Sequence, residues 1–162
     1  MSEINPYAPP KSKVGEPVTA GLSEAPLEAR LYTERQVAVA TFLGAPLLGG
    51  WLIAANHKAL ARPDQANRAI MLGVGATVVL LGLAMVLPDR FPNAALPVSG
   101  AVAFRAWANA QFSTVLERHR AAGGVRFSWW RVLGLSLLSA AIVFTLMFIV
   151  VTALYSFGIL SD

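Results

Sequence analysis

Arg105 is the residue with the most chemical promise. It stands in an otherwise apolar stretch, Ala94 to Phe112, which reads AALPVSGAVAFRAWANAQF. An ionisable group at membrane depth marks a functional site by default, because lipid offers it no hydration. On a helix, Arg105 and Asn109 are four residues apart and share a face. With Gln111 they define a polar path suited to an anionic headgroup or substrate. The plainer reading is that Arg105 snorkels toward the interface and fixes the end of its helix. No carboxylate lies inside any apolar run of the chain. That argues against a proton-coupled carrier of the Asp/Glu type.

A second group of residues is cationic. Arg118, Arg120, Arg126 and Arg131 cluster around Trp129 and Trp130. Tryptophan beside arginine suits a headgroup boundary, and each basic residue near an anionic surface gains about 1 kcal/mol. The same charges also serve as topological signals. His57 and His119 are the only histidines and read as solvated loop residues; a metal site would need more ligands than they offer. With no cysteine in the chain, disulfides, thiolate nucleophiles and thiolate metal sites are excluded. No phosphate-binding lysine loop, HExxH or GxSxG is present. Gly73-Val74-Gly75 lacks the third glycine of a dinucleotide fingerprint and reads as helix packing. The expectation is no cofactor, no resident metal and no catalytic residue.

The elements that must position these residues are apolar. Of the 162 residues, 56% are hydrophobic and 14% charged, and mean hydropathy is +0.57. Soluble domains carry about 25% charged residues, so a chain this apolar could not cover itself with polar groups in water. The formal charge of +4 falls between apolar runs, where it reports membrane orientation and not nucleic-acid binding. The predicted class is all-α, an integral membrane four-helix bundle behind a disordered tail. Spans are expected at 36–55, 69–87, 94–112 and 132–156, with the third the weakest; without it the count falls to three.

Local signals define the elements. Residues 1–25 are rich in proline, with a PxxP pattern at Pro6-Tyr7-Ala8-Pro9, and lack the apolar core of a secretory signal. They read as an extended tail, and the first span as the insertion signal. Thr33 and Gln36 have capping-box spacing, with Tyr32 and Val37 at the staple positions. Pro46 predicts a kink in the first span. Gly44, Gly73, Ser136 and Ala140 are small residues expected at close helix contacts. Ser128 is the expected N-cap of the last span.

Four spans would put the tail, the 88–93 turn and the C-terminus on one side, with Arg30, Arg35 and Arg90. The other side would hold Lys58, Arg62, Arg68, Arg118, Arg120, Arg126 and Arg131. That bias predicts cytoplasmic loops at 56–68 and 113–131, with both termini outside. Losing the third span reverses the bias and favours a cytoplasmic N-terminus.

The NPYAPP head, the segment FLGAPLLGGWLIAANHKAL, and the pairing of Ala121-Ala122-Gly123-Gly124 with Ser128-Trp129-Trp130-Arg131 resemble small multi-spanning bacterial inner-membrane proteins of uncharacterised activity. The resemblance implies a bacterial inner membrane and carries no activity. The function expected is a non-enzymatic membrane protein acting through protein or lipid interaction: an accessory subunit, a scaffold or an immunity-type partner. Its partners would be the bilayer and a membrane protein or a second copy. The alternatives are a small transporter or channel using Arg105, Asn109 and Gln111, and, last, a lipid-handling enzyme.

Overall fold

The computed structural model describes residues 26–158, apart from 89 and 93. The expected disordered tail lies outside the described residues. Within them the chain forms four helices: α1 (Glu34–Ala59), α2 (Pro63–Val86), α3 (Ala95–Ala121) and α4 (Trp129–Ser156). No strand forms among the described residues; Leu31 and Arg126 make one isolated bridge. By length and composition alone, three helices, α1, α2 and α4, are long and apolar enough to cross a membrane. The expected third span is indeed helical, but α3 continues through Arg118, His119 and Arg120, and its polar residues keep it out of that set.

α1 departs most from expectation. Its first turn is built as the sequence implies: the Gln36 N–H donates to Thr33 Oγ1 (3.3 Å), and the Thr33 N–H donates to Gln36 Oε1 (3.0 Å). Ten residues on, the helix stops. Gly44 (φ −110°, ψ 16°) and Ala45 (φ 65°, ψ 167°) are not helical, and Pro46 has no N–H with which to rejoin the ladder. The chain then reverses. The Tyr32 N–H donates to Asn56 Oδ1 and Asn56 Nδ2 donates to the Tyr32 carbonyl, each at 2.8 Å. In a straight helix those residues would stand about 36 Å apart. α1 is therefore a hairpin of two arms, α1a (34–43) and α1b (46–59), roughly 15 and 21 Å long. The expected kink is a full reversal.

The hairpin is the hub of the fold. It packs against α2, α3 and α4, while those three have few close approaches to one another. Its arms contribute more of the buried core than any other helix, including Val37, Ala40, Leu52 and Ile53. Contacts fix the direction of each neighbour. α2 rises along α1b, with Gly73 against Gly50 and Thr77 beside Leu47 at the apex. α3 descends, from Gly100 near Pro46, through Phe104 beside Gly49, to Phe112 against His57. α4 rises along α1a, from Phe127 beside Gln36 to Ser139 at Gly44. Beyond the apex α2 continues from Thr77 to Val86 and α4 from Ser139 to Ser156.

This arrangement corrects the expected sidedness. Tyr32 and Asn56 share one end of the molecule, so the entry to α1 and the 60–62 link lie together, not on opposite faces. The 122–128 link joins them there. The 87–94 link and the end of α4 lie at the far end.

Candidate functional site

Two polar regions are built into this apolar frame. The first is the apex of the α1 hairpin, where breaking the helix frees backbone groups that lipid or a dry interior cannot satisfy. Side chains from two neighbours supply what is missing. The Leu47 N–H donates to Thr77 Oγ1 (2.8 Å), and the Thr77 hydroxyl donates to the Gly73 carbonyl (2.9 Å). The Ser139 hydroxyl donates to the Gly44 carbonyl (2.5 Å). Thr77 and Ser139 thus tie α2 and α4 to the break.

Glycines let the helices approach closely enough for these bonds. A Cβ on Gly50 would stand 2.6 Å from the Ala69 oxygen and 2.8 Å from Gly73 Cα, and one on Gly73 would stand 2.9 Å from the Pro46 oxygen. A Cβ on Gly49 would collide with Thr41 on the opposite arm. Above the apex the helices leave apolar hollows of about 390 Å³, floored by Ala45 and Pro46, and about 460 Å³, between α2 and α4.

The packing residues expected from the sequence have specific places. Gly44 and Pro46 are buried in the break, and Gly73 lies at the α1b–α2 crossing. Ser136 is fully buried and donates to the Val132 carbonyl (2.8 Å). Ala140 lines the smaller apical hollow. Sequence reasoning missed Thr77 and Ser139. Thr77 is the one hydroxyl-bearing residue in the apolar run Ala69 to Leu87, a usable hint once a nearby helix is known to be broken.

The second region is the basic end. The strand-like segment before α1 is clasped to the 122–128 link: the Leu31 N–H donates to the Val125 carbonyl (3.3 Å), and the Phe127 N–H donates to the Leu31 carbonyl (3.2 Å). Gln36 Nε2 adds a bond to the Phe127 carbonyl (2.7 Å). Tyr32 stacks on Phe127 at 4.1 Å, and the Arg131 guanidinium lies 4.7 Å from the centre of the same ring. The Tyr32 hydroxyl is buried without a hydrogen-bond partner. Burial pushes its pKa up, and the Arg131 charge pulls it the other way.

This clasp shapes a cleft of about 370 Å³ walled by Thr33, Glu34, Arg35, Arg120, Arg126 and Trp129. Arg118, Trp130 and Arg131 are exposed nearby. Among the headgroup candidates, then, Arg120, Arg126 and Trp129 converge on one cleft with Arg35, and Arg118, Trp130 and Arg131 do not.

Arg105, Asn109 and Gln111 are all exposed on α3, whose inward residues are Phe104, Ala108 and Phe112. Arg105 and Asn109 do share a face, but it is the outer one. The histidines are a correction: both are buried, not solvated. His57 packs on Phe112 with ring centres 4.8 Å apart, and His119 Nε2 is 3.3 Å from the Val125 carbonyl. No group of three potential metal-ligating side chains occurs among the described residues. No family model, curated protein or solved structure matches the chain.

Proposed function

We propose that the chain is an integral membrane protein of a bacterial inner membrane that acts through protein or lipid interaction and not through catalysis. In this reading α2, α3 and α4 cross the bilayer, and α1 enters and leaves from one side. α3 crosses in spite of Arg105 because it alone returns the chain from the far end of α2 to the start of α4. Its Arg105 is exposed on the outer face of α3, where a long cationic side chain can snorkel out of lipid.

Charge supports this topology. Arg30, Arg35, Lys58, Arg62, Arg68, Arg118, Arg120, Arg126 and Arg131 all belong to the end where α1 begins and finishes, and Arg90 belongs to the other. The positive-inside rule then makes the basic end cytoplasmic. The loops 56–68 and 113–131 stay cytoplasmic, the segment before α1 joins them, and the C-terminus lies across the membrane.

The observation that carries the interaction reading is the uncovered apolar surface. Met71 on α2 and Leu137, Phe144 and Phe148 on α4 are each more than 70% exposed, and among the described residues no other helix covers them. Faces this broad meet lipid or another membrane helix. The outward setting of Arg105, Asn109 and Gln111 gives the transporter reading no path between the helices.

The test is crosslinking in native membranes from single cysteines placed at Leu137, Phe144 or Phe148, since the chain has none of its own. A discrete adduct, with a second copy or one defined partner, is expected from at least one site. Lipid adducts alone from all three, with a monomer in mild detergent, would reduce α4 to an anchor and overturn the protein-interaction form of the proposal.

A further inference from the structure

The cleft at the basic end has a composition that the membrane reading alone does not require. Topological signalling needs positive charge somewhere in the loops. It does not need three arginines from three separate elements to face one hollow. Arg35 comes from the first turn of α1, Arg120 from the last turn of α3, and Arg126 from the link before α4. Glu34 is the one acid among the lining residues, so the lining has a net positive charge. Like charges brought together in this way repel unless an anion joins them.

The backbone points the same way. Thr33 and Gln36 satisfy each other through the capping box. That leaves the N–H groups of Glu34 and Arg35 among the unpaired donors that open any helix, and the positive end of α1a adds to the local field. Guanidinium forks match the oxygens of a phosphate in pairs. Trp129, half-exposed at the rim, begins the helix whose charge-free run starts at Val132. The cleft therefore opens where apolar surface gives way to charge, the depth at which lipid phosphates lie.

We propose that this cleft, formed by Arg35, Arg120, Arg126 and the first turn of α1, is a binding site for a phosphate-bearing anion, supplied by an anionic phospholipid headgroup of the adjoining leaflet. Only the source of the phosphate rests on the membrane reading. The site itself would serve a soluble phosphate equally well.

The experiment uses the full chain purified in a neutral detergent. Binding of phosphatidylglycerol, phosphatidylcholine and inorganic phosphate is followed by native mass spectrometry and Trp fluorescence. Preferential retention of phosphatidylglycerol over phosphatidylcholine is expected. Arg120→Gln and Arg126→Gln should each weaken it about fivefold, and the double variant by more than tenfold. Arg118→Gln removes the same charge from the same end but lies outside the cleft, so it should leave binding within twofold. Glu34→Gln should tighten binding, a gain that misfolding cannot imitate.

Inorganic phosphate that binds alone and displaces the lipid would assign the site to soluble phosphate. Lipid retained against it assigns the headgroup. Equal losses from Arg118→Gln and Arg126→Gln, or no preference for either anion, would overturn the site. Extraction of the chain from membranes by alkaline carbonate would overturn the membrane reading instead, and the phosphate arm would still decide the cleft.

Discussion

The Thr77 hydroxyl has two partners, one on each side of a helix crossing. It accepts from the Leu47 N–H, which the break in α1 leaves free, and donates to the Gly73 carbonyl in its own helix. Replacing it with valine keeps the shape and orphans a buried N–H. The expected cost of Thr77→Val is about 1–3 kcal/mol, read as a lowered thermal midpoint in detergent. Thr145→Val, which removes an exposed bond to the Ala141 carbonyl within one helix, should leave the midpoint nearly unchanged. Glycine positions offer a second contrast. Gly73→Ala forces backbones apart and should destabilise by about 1–3 kcal/mol, whereas Gly75→Ala meets nothing within 4 Å and should stabilise by about 0.5–1 kcal/mol. Matching midpoints for the two would contradict the close crossing of α1b and α2. Ala45 is a third case. Its φ of 65° with ψ of 167° is a glycine conformation that costs other residues about 1–3 kcal/mol. Ala45→Gly should therefore raise the midpoint, and a fall would show that Ala45 does not hold this conformation.

Some of this was readable in the sequence. Thr33 and Gln36 announce their bonds because both partners lie within one turn. Thr77 and Ser139 do not, because their partners are 30 and 95 residues away, and nothing in the local pattern records such a pairing.

Among the elements, helix existence followed from long apolar runs without charge. The reversal in α1 did not. Pro46 marks a break, but a proline does not set the angle of the chain beyond it. Twenty uncharged residues fit a crossing helix and a folded pair of arms equally well. The usual mark of a sharp turn, glycine at positive φ, is absent because alanine holds that position. The facing of α3 was hidden for a related reason. Arg105 and Asn109 define one face, but whether it turns inward depends on which face can meet α1b. Phe104, Ala108 and Phe112 fill that contact. The clasp at the foot of α1 is an element-scale joint with its own test. Asn56→Ala removes both of its bonds to the Tyr32 backbone. It should loosen the segment before α1, seen as faster cleavage there by added protease, while α2–α4 stay protected.

For the whole molecule, the two possible topologies give different labelling patterns. Cysteines placed singly at Leu27, Ala61 and Gly123 should react from one side of the membrane, and those at Arg90 and Phe157 from the other. If Leu27 and Ala61 reacted from opposite sides, α1 would be a straight crossing and the hairpin would be wrong. The charge rule illustrates how fold and sidedness depend on each other. Counted on four straight spans, the basic residues divide between two sides; counted on the hairpin, nearly all collect at one. The sequence contained the charges but not the path of the chain, so the bias looked weaker than it is.

The fold-back of α1 also bears on how the chain is made. Both ends of α1 stay, under the proposed topology, on the side where synthesis occurs, and this segment does not lodge across the bilayer as it emerges. Under the proposed topology α2 is the earliest helix able to do so, and it must recruit the insertion machinery in place of α1. The hairpin then waits for its neighbours: Thr77 arrives with α2, Ser139 only with α4, and the clasp only with the 122–128 link. Chains truncated after residue 61 and released from the ribosome should wash from membranes in alkaline carbonate, and those truncated after residue 90 should resist it. The helix at the hub of the finished molecule would thus be made before its neighbours and secured after them.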